Sequence, residues 1–324
     1  MTGSGTVGAC GVDIGGSGCR VAVVALLPRT TPVVLEGAGV RIGDGGLQVA
    51  SLLDQIEQLA GRAAADAGVE RIESVVLGSA GLLELLPDKG AMHRMLAARV
   101  EARVTVLASD MVTSHIGALG MGSGGVLAAG TGAVALGTDF DQVWNRVDGW
   151  GHVLGDAGSG AWIGAAGLDA AFRALDGRPG GSADLLDRLR ARFGSPEQVV
   201  HDVYTRDDRA GLLATFVPDI AELAAAGDRV ATSILHHAGA ELASTGQAAL
   251  AGGLPPRLAL TGGLFNASPL LREGLVDELT AARPEIELVD PAGTALDGAV
   301  ELAVRAGEGN ELLHHPPFAT SMAH

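Results

Sequence analysis

The sequence predicts an α/β fold, and three observations carry that reading. Short β-branched runs ending in Gly, Asp or Ser alternate with longer stretches whose apolar residues recur at spacings of three and four. Two pairs of runs fold back on glycine-rich tips, GGSG within 7–27 and AGTG within 125–139, in the manner of β-hairpins. The chain has 324 residues, whereas single cores stop growing near about 250–300 residues, so two domains are expected.

Taken in order, VGACGVDI (7–14) and CRVAVVALL (19–27) are almost wholly apolar and rich in valine, as strands buried on both faces are. ESVVLGSAG (73–81) and RVTVLASD (103–110) repeat that pattern, as do GGVLAAG (124–130), AVALGTD (133–139), RLALTGG (257–263) and IELVD (286–290). Helical periodicity runs through 47–68, 92–100, 161–175, 183–193 and a long 219–251 segment. Helical patterns dominate from about 157 to 253, the mark of a helical subdomain, and the polar, Pro-containing end GEGNELLHHPPFATSMAH (307–324) reads as a partly disordered tail. The two hairpins echo one another at a separation of about 115 residues, as duplicated halves would.

With 38 acidic against 22 basic residues the formal charge is −16, which opposes nucleic acid and anionic membranes because the basic residues do not cluster. Cys10 and Cys19 are the two cysteines, so there is no disulfide framework and no zinc spacing, and a reduced cytoplasmic setting fits. The opening residues lack a basic region followed by a long apolar run, so no signal peptide is expected, and no apolar stretch is long enough for a span. The 49 glycines suit tight turns and ligand loops, or reflect compositional bias.

Four short stretches could carry chemistry. In GVDIGGSGCRVAVV, the turn residues Gly15, Gly16 and Ser17 expose backbone N–H groups that can cradle phosphate, while Asp13 reaches a hydrated magnesium ion; a plain hairpin turn explains the same residues. In LASDMVTSHIGALG, Asp110 ends a strand and opens a helix, where it either takes a proton from a substrate hydroxyl or simply caps the helix. In VLAAGTGAVALG, Gly130, Thr131 and Gly132 could hold β- and γ-phosphates or only turn a hairpin. In LTGGLFN, Gly262 and Gly263 permit either close backbone approach to an adenosine or an ordinary strand-to-helix turn. The paired histidines His236–His237 and His314–His315 are not promoted to metal ligands, since neighbours on a helix point apart.

The order of these four stretches resembles the superfamily of acetate kinase, sugar kinases, heat-shock chaperones and actin. GWGHVLGDAGSGAWIG (149–164) is similar to the signature of N-acetylglucosamine kinases and the related BadF/BadG-type ATPase family, and the resemblance spans Val7 to Arg305. It implies two actin-like (ribonuclease H-like) domains, 1–115 and 116–296, with a nucleotide and sugar cleft between them. It also implies a helical insertion in the second domain, a C-terminal helix at about 297–306 returning to the first, and a tail over 307–324.

The roles it implies are Asp110 as catalytic base, Asp13 as the magnesium-side carboxylate, and Gly15, Gly16, Ser17, Gly130, Thr131 and Gly132 as phosphate loops. Gly262 and Gly263 would be the adenosine motif, and Ser79, Gly81, Trp150, Gly151 and Asp156 would be sugar contacts. His152, within the signature, is read as a structural tie of its loop. The implied activity is ATP- and Mg2+-dependent transfer of a phosphoryl group to the 6-hydroxyl of N-acetylglucosamine, by a cytoplasmic enzyme that is a homodimer by family analogy. Glucosamine or N-acetylmuramic acid as acceptor, a dehydratase-activating ATPase and a non-catalytic sugar sensor are the alternatives. Departures from the family pattern fall at Gly18, where a basic residue is common, at Ala133 for Ser and at Ala157 for Glu, and 37–46 lacks the family's Asn, leaving Asp44 or backbone groups in its stead.

Overall fold

The computed structural model describes residues 5–15, 18–39, 42–43, 46–47, 49–79, 86 and 88–324. Gly16, Ser17, Asp44 and Gly81 therefore lie outside the described residues. The chain divides into two compact units: residues 1–122 with 291–324, and residues 123–290.

In the first unit, β1 (Val7–Ile14) and β2 (Cys19–Ala25) pair antiparallel and β3 (Val33–Gly37) continues that edge. On the other side of β1, β6 (Arg71–Ser79) and then β7 (Val104–Ser109) run parallel to it. The short strands β4 (Ile42–Gly43) and β5 (Gly46–Leu47) pair separately. Val12, Ile14, Val21, Val23, Val75 and Leu77 face Leu53 and Ile56 of helix α1 (Val49–Asp66) and Met92 and Leu96 of α2 (Lys89–Val100) in one buried cluster.

Helix α3 (Asp110–Leu119) leaves the end of β7 and packs against α11 (Ala295–Gly307). Glycines set that crossing: a Cβ on Gly117 would lie 1.9 Å from the Thr294 carbonyl oxygen, and one on Gly298 would lie 1.9 Å from that of Thr113. The helix that begins at Asp110 is thus held at a backbone-to-backbone distance no larger residue permits.

In the second unit, β8 (Gly124–Ala129), β9 (Ala133–Thr138) and β10 (Trp144–Asp148) form an antiparallel run, with β11 (Arg257–Thr261) and β12 (Glu287–Val289) parallel to β8 on its other side. The orders β3-β2-β1-β6-β7 and β10-β9-β8-β11-β12 match strand for strand, which gives the hairpin echo a structural basis. Helices α4 (Gly160–Asp176), α5 (Ala183–Phe193), α6 (Pro196–Thr205), α7 (Arg209–Ala214) and α8 (Val217–Ala225) follow β10. They pack with α9 (Arg229–Ala249) and α10 (Pro269–Ala282) around Ile163, Leu189, Phe216, Ile220 and Leu235.

Three expectations need correction. The 219–251 segment is two helices, because Gly227 takes φ +95° and Asp228 caps α9 by accepting from the N–H groups of Val230 and Ala231. Residues 307–324 are not a loose tail, for β13 (Ala319–Ala323) adds antiparallel to β7 and makes a six-stranded sheet. A domain boundary after residue 115 would cut α3; the units divide after 122 and 290 instead. The short strands β3 and β10 and helices α6 and α7 also went unread, being edge or surface elements whose pattern is set by tertiary partners.

Among the described residues no single helix is long and apolar enough to cross a membrane.

Candidate functional site

The candidate residues fall into two groups, one in each unit. In the first unit, strand register sets the geometry: Ile14 pairs with Ser79 and Ser79 with Ser109 at the carboxyl ends of β1, β6 and β7. Asp13 on β1 and Asp110 just beyond β7 thus sit on either side of the β6 end. The carboxyl ends of such strands are where α/β sheets bind ligands.

Asp13 is largely buried and bonded to the guanidinium of Arg20, its cross-strand partner on β2, at 2.5 Å. Sequence reading missed Arg20, although its position seven residues after Asp13 across a tight hairpin makes the pairing legible once the register is known. The turn closes through a bond from the Gly15 N–H to the Gly18 carbonyl at 2.9 Å.

Asp110 is half-buried as the first residue of α3, where the helix's free N–H groups accommodate a carboxylate. The Thr113 hydroxyl donates to the Asp110 carbonyl at 3.1 Å. The hydroxyls of Ser79 and Ser109 are both buried and have no hydrogen-bond partner among the described residues. Buried polar groups are nearly always paired, so two orphaned hydroxyls on neighbouring strand ends are an unmet hydrogen-bonding demand at this place.

In the second unit, the hairpin tip between β8 and β9 closes with the Gly130 N–H donating to the Gly132 carbonyl at 2.8 Å, and Thr131 is exposed at its apex. The first amides of α4 hold the tip: Gly160 donates to the Gly130 carbonyl at 2.8 Å and Ala161 to that of Thr131 at 3.0 Å. Gly262 takes φ +98°, and a Cβ there would meet the Ala129 carbonyl oxygen at 2.1 Å, so local packing already demands glycine. Gly263 has open space around its Cβ position and begins a short 3-10 turn (Gly263–Asn266), not the α-helix expected directly after the glycines.

The loop 148–160 is organised by Asp148, another residue the sequence reading missed. Its carboxylate accepts from the Asp156 N–H at 2.7 Å and the Ala157 N–H at 2.9 Å. Both aspartates are left-handed, Asp148 at φ 62° and Asp156 at φ 57°, a conformation costing about 1–2 kcal/mol at a non-glycine residue. His152 is exposed, so the tie expected of it falls to Asp148.

Asp156 is itself buried and accepts from the Gly151 N–H at 3.3 Å. Burial holds its carboxyl above the usual carboxylate range; the Gly151 N–H opposes the shift, the Asp148 charge adds to it, and the Ala133 N–H and His152 oppose it. A Cβ on Gly132 would lie 2.7 Å from the Asp156 carboxylate, so this residue joins the phosphate-type hairpin to the signature loop. Trp150 is 63% exposed with the Arg146 guanidinium 4.6 Å from its ring centroid.

Ala133 and Ala157, without polar side chains, act through their backbone amides, one toward Asp156 and the other to Asp148.

A family model described as the BadF/BadG/BcrA/BcrD ATPase family matches residues 10–303. The N-acetylmuramic acid/N-acetylglucosamine kinase of Clostridium acetobutylicum is 23% identical over 300 residues, covering 90% of this chain and 97% of the relative. The crystal structure of a presumptive N-acetylglucosamine kinase from Chromobacterium violaceum superposes with a TM-score of 0.67 at 26% identity, over 93% of this chain and 99% of the other. A ROK family glucokinase from Streptomyces griseus, solved with glucose and AMPPNP, has a TM-score of 0.54 at 17% identity over 93% and 100% of the two chains, a likeness of fold.

Proposed function

We propose, from the premise that this chain belongs to the BadF/BadG/BcrA/BcrD ATPase family, that it is a sugar kinase acting on an amino sugar, with N-acetylglucosamine the favoured acceptor. The observation that carries the reading is the edge of the first sheet. There Asp110 opens a helix one residue beyond Ser109, beside two buried hydroxyls with no partner among the described residues. A carboxylate at a helix start next to unsatisfied hydroxyls suits a polyhydroxylated acceptor whose one reacting hydroxyl must be oriented and deprotonated.

In the proposed step the sugar 6-oxygen forms a bond to the γ-phosphorus of ATP while the bond from that phosphorus to the β-phosphate oxygen breaks. The hydroxyl proton passes to Asp110 and ADP leaves. Because the transition state is loose, the protein's contribution is positioning and charge stabilisation. Gly15, Gly16, Ser17, Gly130, Thr131 and Gly132 are assigned to the phosphates through backbone N–H and hydroxyl groups, and Gly262 and Gly263 to the adenosine. Ser79, Ser109, Gly81, Trp150, Gly151 and Asp156 are assigned to the sugar.

Among the described residues no cluster of three or more His, Cys, Asp or Glu could hold a metal ion by itself. Arg20 occupies Oδ2 of Asp13, and the Oδ1 it leaves would meet magnesium through a water, in keeping with an ion that retains several waters and is held through one or two carboxylates and substrate phosphates. Asp13 would hold it, and its charge, when bound, neutralises the β- and γ-oxygens.

The dehydratase-activating alternative requires thiolates that can reach a second subunit to share an iron–sulfur cluster. Cys10 and Cys19 are both fully buried, and burial, with the Cys19 charge adding, pushes the Cys10 thiol up to about 12. That disfavours the alternative.

A coupled ADP-release assay across glucose, glucosamine, N-acetylglucosamine, N-acetylmannosamine and N-acetylmuramic acid tests the proposal. The expected result is highest kcat/KM with N-acetylglucosamine. Release that no sugar raises above the sugar-free rate would refute the kinase reading.

A further inference from the structure

The C-terminal strand β13 lies beyond residue 303, where the family match ends, yet Phe318, the residue that leads into it, is bonded to the residue that precedes Asp110. Its register on β7 pairs Ala319 with Ala108 and Ala323 with Val104. Both ends of that pairing are pinned, since the Ser109 N–H donates to the Phe318 carbonyl at 2.9 Å and the His324 N–H to the Arg103 carbonyl at 2.9 Å.

Beneath the pairing lies a buried polar clasp. His93 of α2 is 2% exposed; its Nδ1 is 2.6 Å from the Thr105 hydroxyl on β7 and its Nε2 is 3.0 Å from the Thr320 hydroxyl on β13. The Thr105 hydroxyl is also 3.0 Å from Nε2 of His324. One ring therefore reads both strands at once. A slip of β13 by one residue would turn Thr320 to the opposite face and break its bond to the ring, so the clasp favours the observed register.

Phe318 meets Ser109 only in that register. Ser109 is the residue before α3, and its side chain makes no capping bond. The Phe318 carbonyl is thus the bond on its backbone N–H at the corner where strand becomes helix. We propose that β13, clasped by His93 through Thr320, is a positioning element for the Ser109–Asp110 corner, acting on catalysis from outside the family's matched region. This rests on the reading of Asp110 as the base. Without β13, β7 is a sheet edge with its outward N–H groups in water, and the corner is free to shift. Displacement of a catalytic group by about 1 Å costs on the order of 100-fold in rate.

Three full-length variants and one truncation test the proposal: Thr320→Val, Thr320→Ser, His93→Gln and a chain ending at Pro317. Each is read by amide hydrogen exchange at Leu107 and Ser109, by kcat and KM in the ADP-release assay, and by calorimetry with a non-hydrolysable ATP analogue. Thr320→Val and the truncation are expected to speed Ser109 exchange at least about tenfold and to lower kcat about 10- to 100-fold, with nucleotide affinity within about twofold. Thr320→Ser keeps the hydroxyl and is expected to match the intact chain, and a peptide of residues 314–324 is expected to restore kcat to the truncated one.

Unchanged kcat in a folded variant whose Ser109 amide has lost protection overturns the proposal. Undiminished protection at Ser109 without β13 overturns it equally. If the truncated chain does not fold, the contrast between Val and Ser at 320 decides. An intact chain with no sugar-dependent ADP release instead refutes the kinase reading, and exchange at Ser109 then decides whether β13 holds the corner.

Discussion

The carboxylate of Asp148 accepts hydrogen bonds from the backbone N–H groups of Asp156 and Ala157, at 2.7 and 2.9 Å, and so closes a loop whose two aspartates both sit in left-handed backbone. The strain at Asp156 persists because the bonds from its own N–H and its neighbour's over-determine it. Asp148→Ala leaves both donors without their charged acceptor and is expected to destabilise the protein by about 2–3 kcal/mol. The sugar KM should rise about tenfold as Asp156 loses its setting. Asp148→Asn, which keeps one acceptor oxygen, should fall between the two. Urea denaturation and steady-state kinetics on the same samples measure both effects; a stable Asp148→Ala with unchanged KM would remove Asp148 from the site.

Asp110→Asn preserves shape and removes the proton acceptor. If Asp110 is the base, turnover should fall about 100- to 10,000-fold, while sugar affinity measured by calorimetry changes far less. Equal losses in affinity and turnover would instead mark Asp110 as a binding group, and an unchanged rate would mark it as a helix-start residue with no part in the chemistry.

The two Gly-tipped hairpins were legible because near-continuous Val, Ala and Leu runs leave few alternatives to buried strands, and glycine is the default where a chain must reverse tightly. Asp110 was legible as a candidate for a related reason: a lone carboxylate between an apolar strand and a helical pattern stands at an element boundary whatever its job. Arg20, Ser109 and Asp148 were not. Each acquires its meaning from a partner chosen by register or by backbone handedness: Asp13 across a hairpin, the end of β6 and β13 on either side, and an amide eight residues away. The strand β13 shows the limit most plainly. ATSMA carries little strand signal of its own, and its pairing is imposed by β7 and by a histidine more than 200 residues distant.

Gly262 separates packing from ligand binding. With φ at +98° and the Ala129 carbonyl 2.1 Å from where a Cβ would stand, Gly262→Ala is strained in conformation and in space. A loss of about 2–4 kcal/mol is expected on denaturant unfolding. Gly263→Ala meets nothing within 4 Å and should be nearly neutral for stability, so any rise in its KM for ATP would report nucleotide contact alone. Equal stability of the two variants would contradict the described turn.

The His93 clasp makes stability depend on acid in a defined direction. Burial, and then the charges of His324 and His314, push the His93 ring down to about 4 from its ordinary 6.5. The unfolded chain therefore takes up a proton on this residue as pH falls below about 6.5, while the folded chain resists until about 4. The contribution is present at neutral pH, where both states are unprotonated, and is lost progressively across that window as protonation favours the unfolded state. His93→Gln can still hydrogen-bond but does not titrate there. The expectation is that the wild-type urea midpoint falls more steeply than that of His93→Gln between neutral pH and about pH 4, with the variant lower at neutral pH because one terminal amide cannot place polar atoms where both ring nitrogens meet Thr105 and Thr320. Parallel curves for the two proteins would show that His93 remains protonatable in the fold, and that its place between β7 and β13 is open to water.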